Sequence, residues 1–111
     1  MCGIVGMYSF GTKADIVDGD LLDRMRDTMI HRGPDGGRSW ISDDQRVGLG
    51  FRRLAIIDLS ETAMQPMSNE DRSIRLVFNG EIYNHADVRA ELQQIGGHSW
   101  QTDHSDTETI V

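Results

Sequence analysis

The apolar positions of this chain follow two periods. Ile4, Val5, Met7, Tyr8 and Phe10 form a short apolar run that predicts a strand over Gly3–Phe10. After a polar connection, Leu21, Leu22, Met25 and Met29 recur at helical spacing, with Asp18 or Asp20 placed as the cap. The helix should stop within His31–Gly37, where glycine and then proline follow in sequence. Three glycines in that stretch suggest a loop passing close to another backbone. Arg38–Ser42 and Val47–Ile57 read as strands around a turn at Asp43-Asp44. The second alternates through Val47, Leu49 and Phe51, then runs past Arg52-Arg53 into Leu54-Ala55-Ile56-Ile57.

Asp58–Arg72 is polar and irregular and reads as a loop, and Ile74–Phe78 as another strand. Asn84 can cap a helix over His85–Ile95 that places Val88, Leu92 and Ile95 on one face. Gly96-Gly97 should end it, with a short strand through Gln101. Ser105-x-x-Glu108 has the form of a capping box. A helix starting there would have only about a turn before Val111, too little to stand alone, so a fragment of a longer domain is expected.

Composition narrows the classes. With 111 residues, 38% hydrophobic and 26% charged, the chain fits one globular domain at most. A net charge of −7 argues against a nucleic-acid or anionic-membrane surface. No stretch has the length of a membrane span or the form of a signal peptide, and a reducing cytoplasm is the expected compartment. The single cysteine and four dispersed histidines give no metal-site spacing.

That cysteine is Cys2, directly behind Met1. Removal of Met1 would put a thiol and a free α-amine on one residue. With a pKa of about 7.7–8.0, such an amine can take the thiol proton itself or through a water. An N-terminal amine is one known activator of a nucleophile. On position alone a structural thiol is the commoner reading, since most single cysteines are structural.

Other polar groups sit at element edges. Arginine before an apolar strand end can be a snorkelling edge residue or a two-point grip on a carboxylate. Asn79-Gly80 is a common hairpin signal, yet here a helical pattern follows. A side-chain amide beside a flexible backbone N–H could then serve as an oxyanion hole.

Five stretches together resemble one family: Met1-Cys2-Gly3-Ile4-Val5-Gly6, His31-Arg32-Gly33-Pro34-Asp35, Phe51 to Asp58, Phe78-Asn79-Gly80-Glu81-Ile82-Tyr83-Asn84, and Ser105-Asp106-Thr107-Glu108. It is the class II glutamine amidotransferase (glutaminase) domain of glutamine-hydrolysing asparagine synthetases, an N-terminal-nucleophile hydrolase. The resemblance spans the whole chain. It implies an α+β fold, a four-layer αββα sandwich of which residues 1–111 would be the N-terminal half, with the synthetase domain absent.

The resemblance also implies roles. Cys2 is the expected nucleophile on the glutamine side-chain amide, with its α-amine as general base. The Asn79 amide and the Gly80 backbone N–H would form the oxyanion hole. Arg53 would clamp the substrate α-carboxylate and Asp106 its α-ammonium. Leu54, Ala55, Ile56, Ile57 and Glu81 would complete the pocket. Ammonia would pass to ATP-dependent amidation of aspartate. No cofactor or metal is expected in this stretch, and ATP and Mg2+ would belong to the missing synthetase domain. The expected partners are L-glutamine and that domain, with a homo-oligomer left open. Two rivals stand beside this reading: a synthetase-like amidotransferase of surface-polysaccharide biosynthesis with another amide acceptor, and a non-catalytic fragment.

Overall fold

The computed structural model describes residues 1–11, 15–56 and 60–111. Among them are two α-helices and five strands, and all strand pairs are antiparallel, an α+β arrangement. Strand β1 (Gly3–Tyr8), β2 (Gly36–Ile41) and β3 (Val47–Arg53) form one sheet in the order β1-β3-β2. Helix α1 (Gly19–Asp27) packs on one face of this sheet.

The central strand explains how that packing is achieved. Val5, Gly50 and Ser39 are register partners across the three strands, as are Met7, Gly48 and Ile41. A Cβ on Gly48 would lie 2.8 Å from Val17 and 2.9 Å from Leu22, and one on Gly50 would lie 2.7 Å from Val5. Small residues on the helix-facing side of β3 therefore let α1 approach, and Leu22 becomes fully buried against them. The alternate side of β3 carries Leu49, Phe51 and Arg53. Phe51 is also fully buried and pairs with Ile4.

Several expected boundaries move, each for a local reason. Asp18 is the cap of α1, its side chain accepting from the Asp20 and Leu21 N–H groups. The helix ends at Asp27 rather than reaching Met29, because the N–H groups of Met29 and Ile30 turn to carbonyls three residues back. Strand β3 ends at Arg53 because its next two N–H groups leave the ladder for Cys2 and Asp35. The expected strand over Leu54–Ile57 is thus absent at Leu54–Ile56, and Ile57 lies outside the described residues.

The stretch read as a loop contains a 3-10 turn, Glu61–Ala63, and a short strand β4 (Met67–Ser68). Strand β4 pairs with β5 (Arg75–Leu76), all that remains of the strand expected over Ile74–Phe78. Helix α2 (His85–Ile95) has the expected extent, but the Asn84 side chain makes no capping bond. Its Ile95 is exposed, while Val88 and Leu92 are half-buried. Residues 96–101 form no strand.

The Ser105 capping box is also not formed. Glu108 instead accepts from the Thr102 N–H at 2.9 Å, from the Gln101 N–H and from the Thr102 hydroxyl, beside Arg89. Two backbone donors and a hydroxyl satisfy that carboxylate better than the single donor of a capping box. A 3-10 turn, Thr107–Thr109, follows Asp106.

Candidate active site

The strand period assigns the two adjacent arginines to opposite sides of the sheet. Arg52 turns to the helix side, where its Nε donates to the Gly33 carbonyl at 2.9 Å and a terminal nitrogen approaches Asp27 at 3.4 Å. Arg53 turns to the other side, is buried, and donates to the Ser60 carbonyl at 2.8 Å. Arg53 lines a cavity of about 330 Å³; Arg52 does not.

Cys2 lies just before β1, whose Gly3 pairs with Arg52, so extending the register by one places Cys2 opposite Arg53. The Leu54 N–H donates to the Cys2 Sγ at 3.3 Å, and the sulfur lies 3.6 Å from the Leu54 carbonyl oxygen. The thiol is therefore held at the exit of β3, at the cavity wall. Met1 also lines the cavity and is exposed.

The loop after α1 fixes this end of the sheet. Arg32 donates through Nε to the Cys2 carbonyl at 3.2 Å. The Asp35 N–H donates to the Arg53 carbonyl at 3.0 Å, and its carboxylate accepts from the Ala55 N–H at 2.9 Å. Between them Gly33 lies against the backbone of Arg52 and Arg53. A Cβ there would be 2.4 Å from the Arg52 carbonyl carbon and 2.6 Å from the Arg53 nitrogen. This is the close approach that the glycine-rich stretch suggested.

The far wall comes from the segment between β5 and α2. Asn79, Gly80 and Glu81 line the cavity with Asp106 and Thr107. Among the described residues the Asn79 side chain makes no hydrogen bond, so no Asx-turn accounts for an asparagine there. Asp106 is buried; one carboxylate oxygen accepts from the Ile82 N–H at 2.9 Å and the other from the Thr107 hydroxyl at 3.3 Å. A carboxylate has about four acceptor positions, so Asp106 retains capacity for a cationic group.

The structure thus brings Cys2, Arg53, Leu54, Ala55, Ile56, Asn79, Gly80, Glu81 and Asp106 around one cavity. Ile57 falls outside the described residues. One thiol, one buried cation and one buried anion face a shared space, a charge pattern suited to a zwitterionic ligand.

Sequence reasoning missed Gln65, a buried side chain in the stretch read as a loop, which also lines the cavity. It missed the parts played by Arg32 and Asp35 as well. A helix-stop signal explained their loop sufficiently, and no pattern marks a hydrogen bond across 30 residues.

The glutamine amidotransferase domain family matches residues 1–111. Glutamine-hydrolysing asparagine synthetase 1 of Bacillus subtilis is 43% identical over 112 residues, covering 100% of this chain and 17% of that protein. A probable glutamine-hydrolysing asparagine synthetase of Dictyostelium discoideum is 40% identical, covering 100% of this chain and 19% of its own length. The amidase chry2 of Gibberella zeae is 38% identical over 100 residues, 83% of this chain and 15% of that protein. The chain therefore spans only a small part of the curated relatives that it matches.

Proposed function

Because this chain belongs to the glutamine amidotransferase domain family, we propose that it hydrolyses the side-chain amide of L-glutamine and supplies ammonia for ATP-dependent amidation of aspartate. One observation carries the reading: Cys2, Arg53, Asp106 and Asn79-Gly80 line the same cavity.

Free glutamine carries a carboxylate and an ammonium on one carbon. Arg53 receives the first and Asp106 the second, which directs the side-chain amide toward Cys2. Pairing both charges in a desolvated site rejects analogues that lack either one. Once Met1 is removed, the Cys2 amine takes the thiol proton and the sulfur attacks the amide carbon. The carbonyl oxygen becomes negative, and the Asn79 side-chain amide and the Gly80 N–H donate to it. As the tetrahedral species collapses, the C–N bond breaks and the amine returns the proton to the departing nitrogen, releasing ammonia. Water then attacks the thioester by the same route, giving glutamate and free Cys2.

The fold reading goes with the activity. In this reading the sheet β1-β3-β2 and the helix α1 on its face are one sheet layer and one helix layer of a four-layer αββα sandwich. In the proposed parent these residues are the N-terminal part of the glutaminase domain, and a synthetase domain of the same chain receives the ammonia. Among the described residues no group of three or more His, Cys, Asp or Glu side chains could hold a metal ion. In this reading ATP and Mg2+ belong to that other domain. No helix among the described residues is long and apolar enough to cross a membrane. A free thiol nucleophile suits a reducing cytoplasm.

A second reading concerns only the acceptor. A similar stretch occurs in a protein named an amidase, and in this second reading the same ammonia donor serves an acceptor other than aspartate. Glutamate and ammonia release by the complete protein tests the donor reaction. Omitting aspartate, or replacing it by other carboxylic acids, tests the acceptor. Glutamate formation without dependence on Cys2 would exclude the donor mechanism.

A further inference from the structure

Gln65 occupies an unusual place for a glutamine. It is buried, with only 5% of its surface exposed, in an irregular segment between the 3-10 turn and β4. Its side chain joins two cavity-lining segments that are distant in sequence. Oε1 accepts from the Phe78 N–H at 2.5 Å, and Nε2 lies 3.3 Å from the Thr107 hydroxyl oxygen.

The chemistry of the partners fixes the direction of every bond. A backbone N–H can only donate, so the Phe78 group must face the amide oxygen. Nε2 then donates to Thr107, and the Thr107 hydroxyl is free to donate onward to Asp106 at 3.3 Å. Asp106 accepts on its other oxygen from the Ile82 N–H at 2.9 Å. The result is a closed circuit. The Asn79-Gly80-Glu81 corner is held on its leading side through Phe78 and Gln65, and on its trailing side through Ile82 and Asp106. Gln65 and Thr107 join the two holds.

We propose that Gln65 is a positioning residue that sets the Asn79-Gly80 corner and the Asp106 carboxylate at a fixed distance from each other. This rests on the glutaminase reading, in which the corner serves the reacting amide and Asp106 serves the substrate ammonium. The two contacts of Gln65 therefore act on different kinetic quantities. The oxygen contact holds donors that matter as charge develops on the substrate oxygen, and its loss lowers kcat. The nitrogen contact orients the hydroxyl that donates to Asp106, and its loss weakens glutamine binding. A glutamine suits this position because it has one acceptor end and one donor end on a planar group. A glutamate at 65 would draw the Thr107 hydroxyl toward itself and away from Asp106.

The test is steady-state glutamine hydrolysis by the complete protein, with thermal melts of each variant. Gln65→Leu substitutes an apolar side chain of similar bulk and removes both contacts. It should lower kcat roughly 10-fold and raise KM by a similar factor. Thr107→Val removes only the hydroxyl and should raise KM by a larger factor than it lowers kcat, whereas Thr107→Ser should restore the KM. Normal kcat and KM in folded Gln65→Leu would overturn the proposal. Should Gln65→Leu fail to fold, the Thr107 pair decides: equal KM values for the valine and serine variants overturn it. A wild-type protein that releases no glutamate removes the glutaminase reading itself, and this inference with it.

Discussion

The Leu54 N–H donates to the Cys2 Sγ at 3.3 Å, so the sulfur sits where β3 leaves its ladder. The same departure frees the Ala55 N–H for Asp35. One irregularity in a strand thus holds the thiol at the rim of the cavity that Arg53 and Asp106 also line. Rigid mounting of this kind is what a nucleophile requires if its attack distance is to be reproducible.

Arg53 should act through binding rather than through bond making. On the proposed reading Arg53→Ala would remove a charge-assisted pair with the substrate carboxylate, about 1.5–3 kcal/mol, and should raise the glutamine KM more than it lowers kcat. Arg53 also holds the Ser60 carbonyl, so thermal melts must accompany the kinetics. An unchanged KM with kcat abolished would assign Arg53 to the chemistry instead. Arg52→Ala is the contrasting variant: its contacts lie on the helix side, so it should lower the melting temperature and leave KM nearly unchanged in the folded protein.

Asn79 should be intolerant of charge. On the proposed reading Asn79→Asp would replace a donor by a negative group facing the developing oxyanion, and kcat should fall roughly 10²–10³-fold with the fold intact. Asn79→Ala removes the donor without adding charge and should cost somewhat less. Rates close to wild type in Asn79→Asp, measured as glutamate release, would leave this corner an ordinary turn.

Gly33 should admit no side chain. Gly33→Ala places a methyl carbon 2.4 Å from the Arg52 carbonyl carbon, and neither backbone can yield without moving the end of β3. Overpacking of this kind costs roughly 1–3 kcal/mol. Because Arg53 and Leu54 move with that strand end, a calorimetric fall in melting temperature should come with a loss of glutamine turnover. A variant as stable as wild type would show that the loop can shift freely.

The acid side of the stability curve should report Asp27. Its carboxyl is held below the ordinary value of 3.8, first by the hydrogen bond from Arg26 and further by the Arg26 and Arg52 charges. A depressed carboxylate pKa means that the native state binds the proton less readily than the unfolded chain. The stabilisation is therefore fully present above about 3.8 and is lost as pH falls through the lowered native value. The melting-temperature gap between wild type and Asp27→Asn should be present at pH 7 and close toward acid. Since Asp27 is half-exposed, added salt should shrink the gap as well. A gap that persists unchanged at acid pH would assign it to packing.

What could be read from the sequence follows the range of each signal. Periodicity located β1, α1 and α2 because their apolar positions repeat within a few residues, and it narrowed the α1 cap to Asp18 or Asp20. The end of β3 was not legible, since Leu54-Ala55-Ile56 looks like more strand until Cys2 and Asp35 capture its N–H groups. Strand β4 was hidden for the opposite reason: two residues are too short to show a period. The grouping of cavity residues came from resemblance to a family, whereas strand parity explains physically why Arg53 and not Arg52 faces the cavity. Gln65 carried no local sign, because its partners lie 13 and 42 residues away.

The central claim is that Cys2 acts with its own α-amine, and one measurement addresses it directly. Preparations of the complete protein with graded retention of Met1, quantified by mass spectrometry, are assayed for glutamate release from glutamine. The account predicts a rate proportional to the fraction of chains beginning at Cys2 and falling to background when Met1 is fully retained. A full rate with Met1 verified in place would contradict it.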